Sequence, residues 1–318
     1  MAGDAIPPGG GLLLVDKPSG CTSHDVVGRL RQVLRTRRIG HAGTLDPMAT
    51  GLLVVAVERS TKLLGHLALT DKTYLATIRL GQSTTTDDAE GDVVGAASES
   101  AVLGVADEGI LAGIAALTGP ILQVPSSVSA IKVDGKRAYE LVRAGEEVEL
   151  KARPVTISRF DLLSPARRLS GSIDLDVLVA CTTGTYIRSL ARDLGVALGI
   201  GGHLSALRRT TVGPFDVSDS VDVYGPDGVP PRGQARVEVP PEFSDAVAAA
   251  IIPAADAVRN AFAVRTVDAA LAGDMRHGRP IPGIGIPGTY GLFEERDLLA
   301  LVEESGGLAR PRLVWDPA

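Results

Sequence analysis

The stretch GHAGTLDPMATG, residues 40–51, combines one carboxylate and one imidazole with three glycines and a proline. This composition predicts a loop, yet the loop runs directly into residues 52–57, a continuous apolar run typical of a buried strand. Pro47 disfavours helical backbone at Asp46, so we expect an extended backbone there and a carboxylate that does not cap a helix. A simple Asp-Pro turn is the alternative for that dipeptide alone. The whole stretch predicts a polar loop anchored to the core.

The composition is that of an ordinary globular protein. The 318 residues are 45% hydrophobic and 22% charged, which allows one large domain and a smaller one. Residues 1–10 lack the features of a signal peptide, and no apolar run approaches membrane-spanning length. The two cysteines, Cys21 and Cys181, have no metal-ligand spacing and are too few for a disulfide framework. We therefore expect a cytoplasmic protein that is not bound to a membrane, and we expect a monomer.

The distribution of charge bears on the class of ligand. The formal net charge is -6, whereas phosphate binding needs lysine and arginine. Basic residues nevertheless outnumber acidic ones between residues 16 and 72, and acids gather in 216–256. Two interpretations stay open, a basic face that binds nucleic acid and an ordinary solvated surface.

The segments on either side of the loop predict regular structure. Residues 12–15 form an apolar strand that ends at Asp16-Lys17-Pro18, and Thr22 or Ser23 is suited to cap the helix that follows. After the loop, alternation over residues 73–81 places Tyr74 on the apolar face of a strand. A core tyrosine is the simplest interpretation of that position. Residues 83–92 form a polar, acidic loop, either an RNA-facing lid or plainly solvated.

A second polar turn, residues 181–185, leads into an apolar-periodic helix. Arg188 falls in the first turn of that helix. A cation there opposes the helix dipole by roughly 0.3–1 kcal/mol. We therefore expect an anionic group close to Arg188.

The stretch 40–51 closely resembles the catalytic loop of the TruB family of tRNA pseudouridine synthases, whose pattern is Gly-His-x-Gly-x-Leu-Asp-Pro-x-Ala-x-Gly. Further similarity covers about residues 11–215, including Gly184–Leu190, which matches the family's Gly-Thr-Tyr-Ile-Arg-Ser-Leu motif. The resemblance implies an α/β (α+β) pseudouridine synthase fold, with a mixed, mostly antiparallel sheet flanked by helices. It also implies a small β-rich, PUA-like RNA-binding domain at the C-terminus.

The resemblance also implies roles for individual residues. Asp46 is the essential aspartate and pairs with Arg188, which is expected to keep it ionised by lowering its pKa. Tyr74 stacks on the target base and can assist removal of the C5 proton. His41 fills the gap left by the flipped base, although a lone histidine in such a loop is otherwise a local hydrogen-bonding residue.

Three further positions are substrate-binding candidates. Lys17 lies in the family's Asp-Lys-Pro turn under the active site, where a structural role is favoured over a chemical one. Tyr186 belongs to the motif that carries Arg188. Lys132, before a predicted Asp134-Gly135 hairpin turn, is either a phosphate contact or an exposed hairpin charge. Val128 stands where the family usually has tyrosine.

We expect three segments: a catalytic domain at 1–215, a linker or insertion at 216–260, and the PUA-like domain at 261–318. The resemblance implies isomerisation of uridine to pseudouridine at position 55 in the T loop of tRNA. This reaction needs neither metal nor cofactor, and the chain has no Gly-rich phosphate loop, HExxH motif or Cys/His cluster. Whether Asp46 attacks the sugar or the base stays open. So do two rival classes, a non-catalytic RNA-binding or tRNA-folding protein and a hydrolase that uses Asp46 on a small substrate.

Overall fold

The computed structural model describes residues 6–68, 70–126, 150–225, 228–229 and 239–317, together with two short strands between 132 and 137. The eight α-helices of these ranges are α1 (Ser23–Val33), α2 (Leu64–Leu67), α3 (Glu99–Leu103), α4 (Asp107–Ala116), α5 (Ile187–Ala197), α6 (Pro241–Ala249), α7 (Ala254–Ala261) and α8 (Ala269–Arg276).

Strands make up most of the remaining regular structure. In chain order they are β1 (Gly11–Lys17), β2 (Ile39–Ala42), β3 (Thr50–Val57), β4 (Lys72–Leu80), β5 (Gln82–Thr84), β6 (Val93–Ala96), β7 (Gly119–Gln123), β8 (Lys132–Val133), β9 (Lys136–Arg137), β10 (Arg153–Leu162), β11 (Arg167–Leu169), β12 (Ser172–Cys181), β13 (Gly202–Val212), β14 (Phe215–Asp216), β15 (Ile252–Pro253), β16 (Val264–Thr266), β17 (Ile281–Pro282), β18 (Thr289–Glu294), β19 (Asp297–Ser305) and β20 (Leu308–Val314).

An 11-stranded sheet forms the centre of the molecule, with the main order β15-β1-β3-β13-β4-β12-β10-β7. Among its described pairs only β3 and β13 run parallel, so the predicted mixed, mostly antiparallel sheet is confirmed. The apolar face of β4 and β12 packs against α5 in one buried cluster that includes Ile78, Val177 and Leu190. Of the two predicted cap residues, Thr22 caps α1, through a capping box with Asp25.

Residues 241–260, which the sequence predicted as part of a linker, contain regular structure. Strand β15 pairs with β1, and α6 buries Val247 and Ala248 in a cluster with β1, β3 and α1. The apolar residues of α6 become buried because they pack against apolar residues of β1, β3 and α1, and β15 adds an edge strand beside β1. Residues 226–227 and 230–238 lie outside the described ranges.

The C-terminal part is β-rich, as predicted, with the five-stranded order β16-β18-β19-β20-β17. It shares a hydrophobic cluster with the central sheet, in which Phe293 and Leu301 join Leu12 and Val54. The cluster also contains Val258 of α7. The two sheets are therefore joined by a common core. None of the described helices is both long and apolar enough to cross a membrane.

Candidate active site

The polar loop connects two antiparallel strands. Gly40 to Ala42 belong to β2, and Thr50 and Gly51 already belong to β3, so the loop proper is 43–49 and is shorter than the predicted 40–51. Gly51 has φ +97°, and a Cβ atom there would lie 2.2 Å from the backbone oxygen of Arg209 on β13. Glycine is required at this position because β3 and β13 approach closely beside it.

Buried polar groups fix the loop to the elements around it. The Lys17 ammonium is fully buried and donates to the carbonyls of Pro18 (2.8 Å), Cys21 (2.7 Å) and Pro47 (3.2 Å). The Ser23 hydroxyl accepts a hydrogen bond from the Leu45 amide at 2.8 Å. Lys17 and Ser23 therefore hold the residues on both sides of Asp46, which is the structural arrangement favoured for Lys17.

Asp46 and Arg188 meet as expected. Arg188 Nε lies 3.0 Å from Asp46 Oδ2, and Arg188 Nη2 lies 3.2 Å from Asp46 Oδ1. The Arg188 side chain is only 6% exposed, whereas that of Asp46 is 33% exposed. Two contacts to a planar guanidinium fix the orientation of the carboxylate. Asp46 therefore stays accessible from the cavity while its position is set from behind.

The predicted polar loop after β4 supplies a second acid to the same arginine. Arg188 Nη1 lies 3.2 Å from Asp88 Oδ2 and donates to the Thr86 carbonyl at 2.9 Å. Arg192, one turn further along α5, pairs with Asp87 at 3.1 Å. Asp88 is buried, and the backbone on either side of it bonds to Leu204 of β13. The loop is thus attached to α5 and β13, unlike the freely solvated loop considered from sequence.

The expected direction of the Asp46 pKa shift was wrong. Burial raises the pKa of the Asp46 carboxyl above its ordinary value, and the Arg188 guanidinium opposes this rise. The nearby Asp88 adds to the rise, and Lys17 opposes it. Arg188 by itself lowers the pKa as expected, but the loss of solvation around the carboxylate outweighs its effect.

A cavity of about 300 Å³ lies beside this ion pair. Its lining includes Asp46, Tyr74, Arg188, Lys72 and Arg209. Burial raises the pKa of the Tyr74 hydroxyl, and interaction with Arg209 opposes the rise. The pKa of Lys72 is lowered to about 8, chiefly by burial and then by the charge of Arg209. The cavity therefore brings together a carboxylate, a phenol and three cationic side chains.

Of the other predicted site residues, Tyr186 lines the cavity and His41 does not. Tyr186 lines it, and the Gln123 side-chain amide bonds both the amide (2.8 Å) and the carbonyl (3.1 Å) of its backbone. His41 lies on β2 outside the cavity lining, and its buried Nδ1 has no hydrogen-bond partner among the described residues. Burial lowers the pKa of His41, which favours the neutral ring. The side chain of Lys132, together with Val128 and the Asp134-Gly135 turn, lies outside the described residues.

Some of the basic residues near the loop serve the fold. Arg29 donates to the Val223 carbonyl at 3.0 Å, and Arg59 lies over the Trp315 ring at 5.3 Å. Arg38 pairs with Glu58 at 3.9 Å, whereas Lys62 is exposed. The excess of basic over acidic residues between 16 and 72 is therefore larger than the positive charge that is free to contact a ligand.

Three residues of the site, Lys72, Asp88 and Arg209, were not identified as site residues from sequence alone. Nothing in the sequence distinguished Asp88 as a site residue, since it lies among several acids in a polar loop. The position of Arg209, in contrast, could have been predicted from the sequence. Alternation along β13 places Leu207 and Arg209 on the same face, so one of the adjacent arginines, Arg208 and Arg209, had to point toward the core.

Solved structures share this architecture. A chain of the Cbf5-Nop10-Gar1 complex is 26% identical, with a TM-score of 0.68 over 96% of this chain and 85% of that chain. A chain of an H/ACA ribonucleoprotein structure, bound to a substrate RNA containing 2'-deoxyuridine, has a TM-score of 0.65 at 24% identity, covering 96% of this chain and 85% of that chain, and supports the fold alone. The fold, together with the cavity-facing Asp46 held by Arg188, defines the class of pseudouridine synthases.

Sequence comparison identifies the family within this class. Residues 31–187 match the profile described as TruB family pseudouridylate synthase (N terminal domain), and residues 188–224 match tRNA pseudouridylate synthase B C-terminal domain. The tRNA pseudouridine synthase B of Nocardia farcinica is 53% identical over 98% of this chain and 95% of the relative. That of Rhodococcus jostii is also 53% identical, with the same coverage. The chain belongs to the TruB family of pseudouridine synthases.

Proposed function

We propose that this chain converts uridine to pseudouridine at position 55 in the T loop of tRNA, as a cytoplasmic monomer that uses neither metal nor cofactor. The observation that carries the proposal is the Asp46 carboxylate, oriented by Arg188 at 3.0 Å beside a cavity that is also lined by Tyr74. Relatives named tRNA pseudouridine synthase B, 53% identical over nearly the full chain, support tRNA as the substrate.

The reaction requires a nucleotide that has left the base stack, since the target atoms are inaccessible inside a folded loop. The C1′–N1 bond breaks, and its electron pair leaves with the uracil. Asp46 compensates the electron deficiency of the sugar by bonding to C1′, and this bond breaks when C5 attacks C1′; the alternative is that Asp46 adds to the base and is released after the ring has turned. The uracil turns, C5 bonds to C1′, the C5 proton is removed and N1 gains a proton.

The remaining residues would place the RNA. Tyr74 stacks on the flipped base and takes part in removing the C5 proton. His41, neutral at physiological pH, occupies the space that the base has left. Tyr186 lines the entry to Asp46, Lys17 holds the loop, and Lys132 contacts phosphate. The C-terminal sheet, within the predicted domain 261–318, grips the tRNA away from the reacting base and contributes affinity.

The test uses the full chain and an unmodified tRNA transcript, with pseudouridine mapped along the product. We expect conversion at position 55, none in a transcript carrying cytidine there, and none with Asp46→Asn. Release of free uracil would instead indicate a hydrolase. Tight, salt-sensitive binding of tRNA without any conversion would indicate a non-catalytic RNA-binding protein.

A further inference from the structure

The side chains of Tyr74 and Arg209 share one face of the central sheet. They are directly paired across the antiparallel strands β4 and β13. Directly opposite residues have Cβ atoms about 4.5–5.5 Å apart and point to the same side. Both are buried, with 7% of Tyr74 and 1% of Arg209 exposed, and both line the Asp46 cavity. The register of the sheet therefore brings a guanidinium to the phenol inside the site.

Arg209 is also tied to the Asp46 loop. Its Nη2 donates to the Gly43 carbonyl at 2.9 Å, and its Nε donates to the Leu52 carbonyl at 2.8 Å. A Cβ atom at Gly43 would lie 3.2 Å from Nη1, which shows how closely the loop covers the guanidinium. Among the described residues, no carboxylate lies within 4 Å of the Arg209 guanidinium. Its charge is therefore not cancelled by a direct ion pair.

Lys72 also lines the cavity, but its ammonium group is hydrogen-bonded to residues other than Tyr74. Its Nζ donates to the carbonyls of Thr70 (2.7 Å) and Ala68 (3.3 Å) and to the Thr183 hydroxyl (3.3 Å). These three contacts use all three protons of an ammonium group. The hydrogen bonds of Arg209 to the Leu52 and Gly43 carbonyls use Nε and Nη2, which leaves the protons of Nη1 to act on the Tyr74 hydroxyl.

We propose that Arg209 is a positioning residue that makes the Tyr74 oxygen the acceptor of the C5 proton, an inference that rests on the proposed function. A guanidinium can only donate hydrogen bonds, so in any hydrogen bond between the two side chains the Tyr74 oxygen is the acceptor and the phenolic proton points away from Arg209. The positive charge also stabilises the phenolate. Both effects favour a tyrosine that gives up its proton and then accepts another.

The proton balance follows from this arrangement. Tyr74 first loses its hydroxyl proton to solvent. The phenolate oxygen then takes the proton from C5 of the ring already joined through C5 to C1′, and the electron pair of the C5–H bond forms the C5–C6 double bond. The electron pair of the former C6–N1 double bond moves to N1, which takes a proton from solvent, and Tyr74 is left as the neutral phenol with which the cycle began. No oxidant, reductant or added group is needed.

The central experiment is a double-mutant cycle in the full chain, with Arg209→Met and Tyr74→Phe made singly and together. Single-turnover rates are measured at saturating enzyme with tRNA carrying hydrogen or deuterium at C5. We expect Arg209→Met alone to slow conversion at least tenfold and to increase the deuterium isotope effect, because C5 deprotonation becomes limiting. In the Tyr74→Phe background the same substitution should change the rate less than threefold.

Arg209 also holds backbone carbonyls, so thermal unfolding of each variant is followed alongside the rates. Arg209→Lys retains a cation and should give a rate between those of Arg209→Met and the native chain, with a smaller isotope effect than Arg209→Met. It supplies the test if Arg209→Met fails to fold. Lys62→Met, at an exposed lysine, is the control and should leave rate and isotope effect unchanged.

The outcomes separate this inference from the proposed function. If Arg209→Met slows the reaction equally with Tyr74 and with Phe at that position, Arg209 acts only through the loop and the inference is overturned. An unchanged isotope effect in both Arg209 variants overturns it too. If the native chain forms no pseudouridine in tRNA, the proposed function itself fails.

Discussion

Arg188 binds Asp46 through two nitrogen–oxygen contacts, Nε to Oδ2 at 3.0 Å and Nη2 to Oδ1 at 3.2 Å. The remaining terminal nitrogen, Nη1, lies 3.2 Å from the buried carboxylate of Asp88. One guanidinium thus lies between an acid that faces the cavity and an acid that faces the core. Because Asp88 fixes Arg188 from behind, the orientation of Asp46 depends on a residue that does not line the cavity.

Asp46→Asn should abolish turnover and leave most of the tRNA affinity intact. The amide is nearly isosteric with the carboxylate, but it is neither a nucleophile nor a base. Single-turnover conversion and filter binding of the same tRNA separate the two effects. Appreciable pseudouridine formation by this variant would rule out the assignment of Asp46.

The pH dependence should report the Asp46 carboxyl. Its pKa is raised by burial, and the reaction needs the ionised form, so activity should be lost as the pH falls through that raised value. Arg188→Met removes the cation that opposes the rise. The acid limb of the single-turnover rate should therefore move to higher pH in this variant. An unmoved acid limb, with activity lost only through weaker tRNA binding, would contradict the role given to Arg188.

Asp88→Asn should destabilise the fold and slow turnover together. Breaking a buried ion pair typically costs about 3–5 kcal/mol, and the amide retains part of the hydrogen bonding, so we expect the low end of that range. The matched control is Asp87→Asn, whose partner Arg192 is 25% exposed, so the loss should be about 1 kcal/mol or less. Urea unfolding and single-turnover rates measure both effects. Equal destabilisation by the two variants would count against the importance of the buried pair.

Tyr74→Phe retains the ring for stacking and loses the hydroxyl. If the hydroxyl takes part in removing the C5 proton, the rate at saturating enzyme should fall by about 10²–10⁴. Burial of Tyr74 within the core face of β4 means that stability should change little, because only one oxygen is lost. A rate close to that of the native chain would leave Tyr74 with a packing role alone.

Arg310 offers a test of the C-terminal sheet as a tRNA-binding surface. It is exposed, its Nε contacts the Ser305 hydroxyl at 3.3 Å, and no carboxylate lies within 4 Å of it among the described residues. Arg310→Ala should weaken tRNA binding and reduce the slope of log K against log salt by about 1. The saturated single-turnover rate should stay unchanged. The control is Arg312→Ala, since Arg312 already pairs with Glu303 at 2.6 Å.

If Arg310→Ala and Arg312→Ala leave the affinity and its salt dependence as in the native chain, the C-terminal sheet does not contact phosphate through this strand. Substitution is preferable to truncation here. A chain ending near Ala257 would expose Leu12, Leu52 and Val54, because they pack against Phe293 and Leu301 of the C-terminal sheet.

The sequence by itself determined the local parts of this protein. The apolar run of β3, the Thr22 cap of α1 and the alternation of β4 each depend on neighbours within a few residues. The resemblance to the TruB family also implied that Asp46 pairs with Arg188, although 142 residues separate them in the chain. Those features could be predicted because local backbone preferences and a long, gapless motif encode them.

Only the tertiary structure decided how the site is supported. Asp88 reaches Arg188 because the loop after β4 is bonded to β13, and Arg209 faces Tyr74 because β4 and β13 are in one register. The structure also reversed the expected direction of the Asp46 pKa shift, since burial depends on everything packed around the carboxyl. Register, burial and long-range ion pairs are properties of the assembled chain, so no local pattern of residues specifies them.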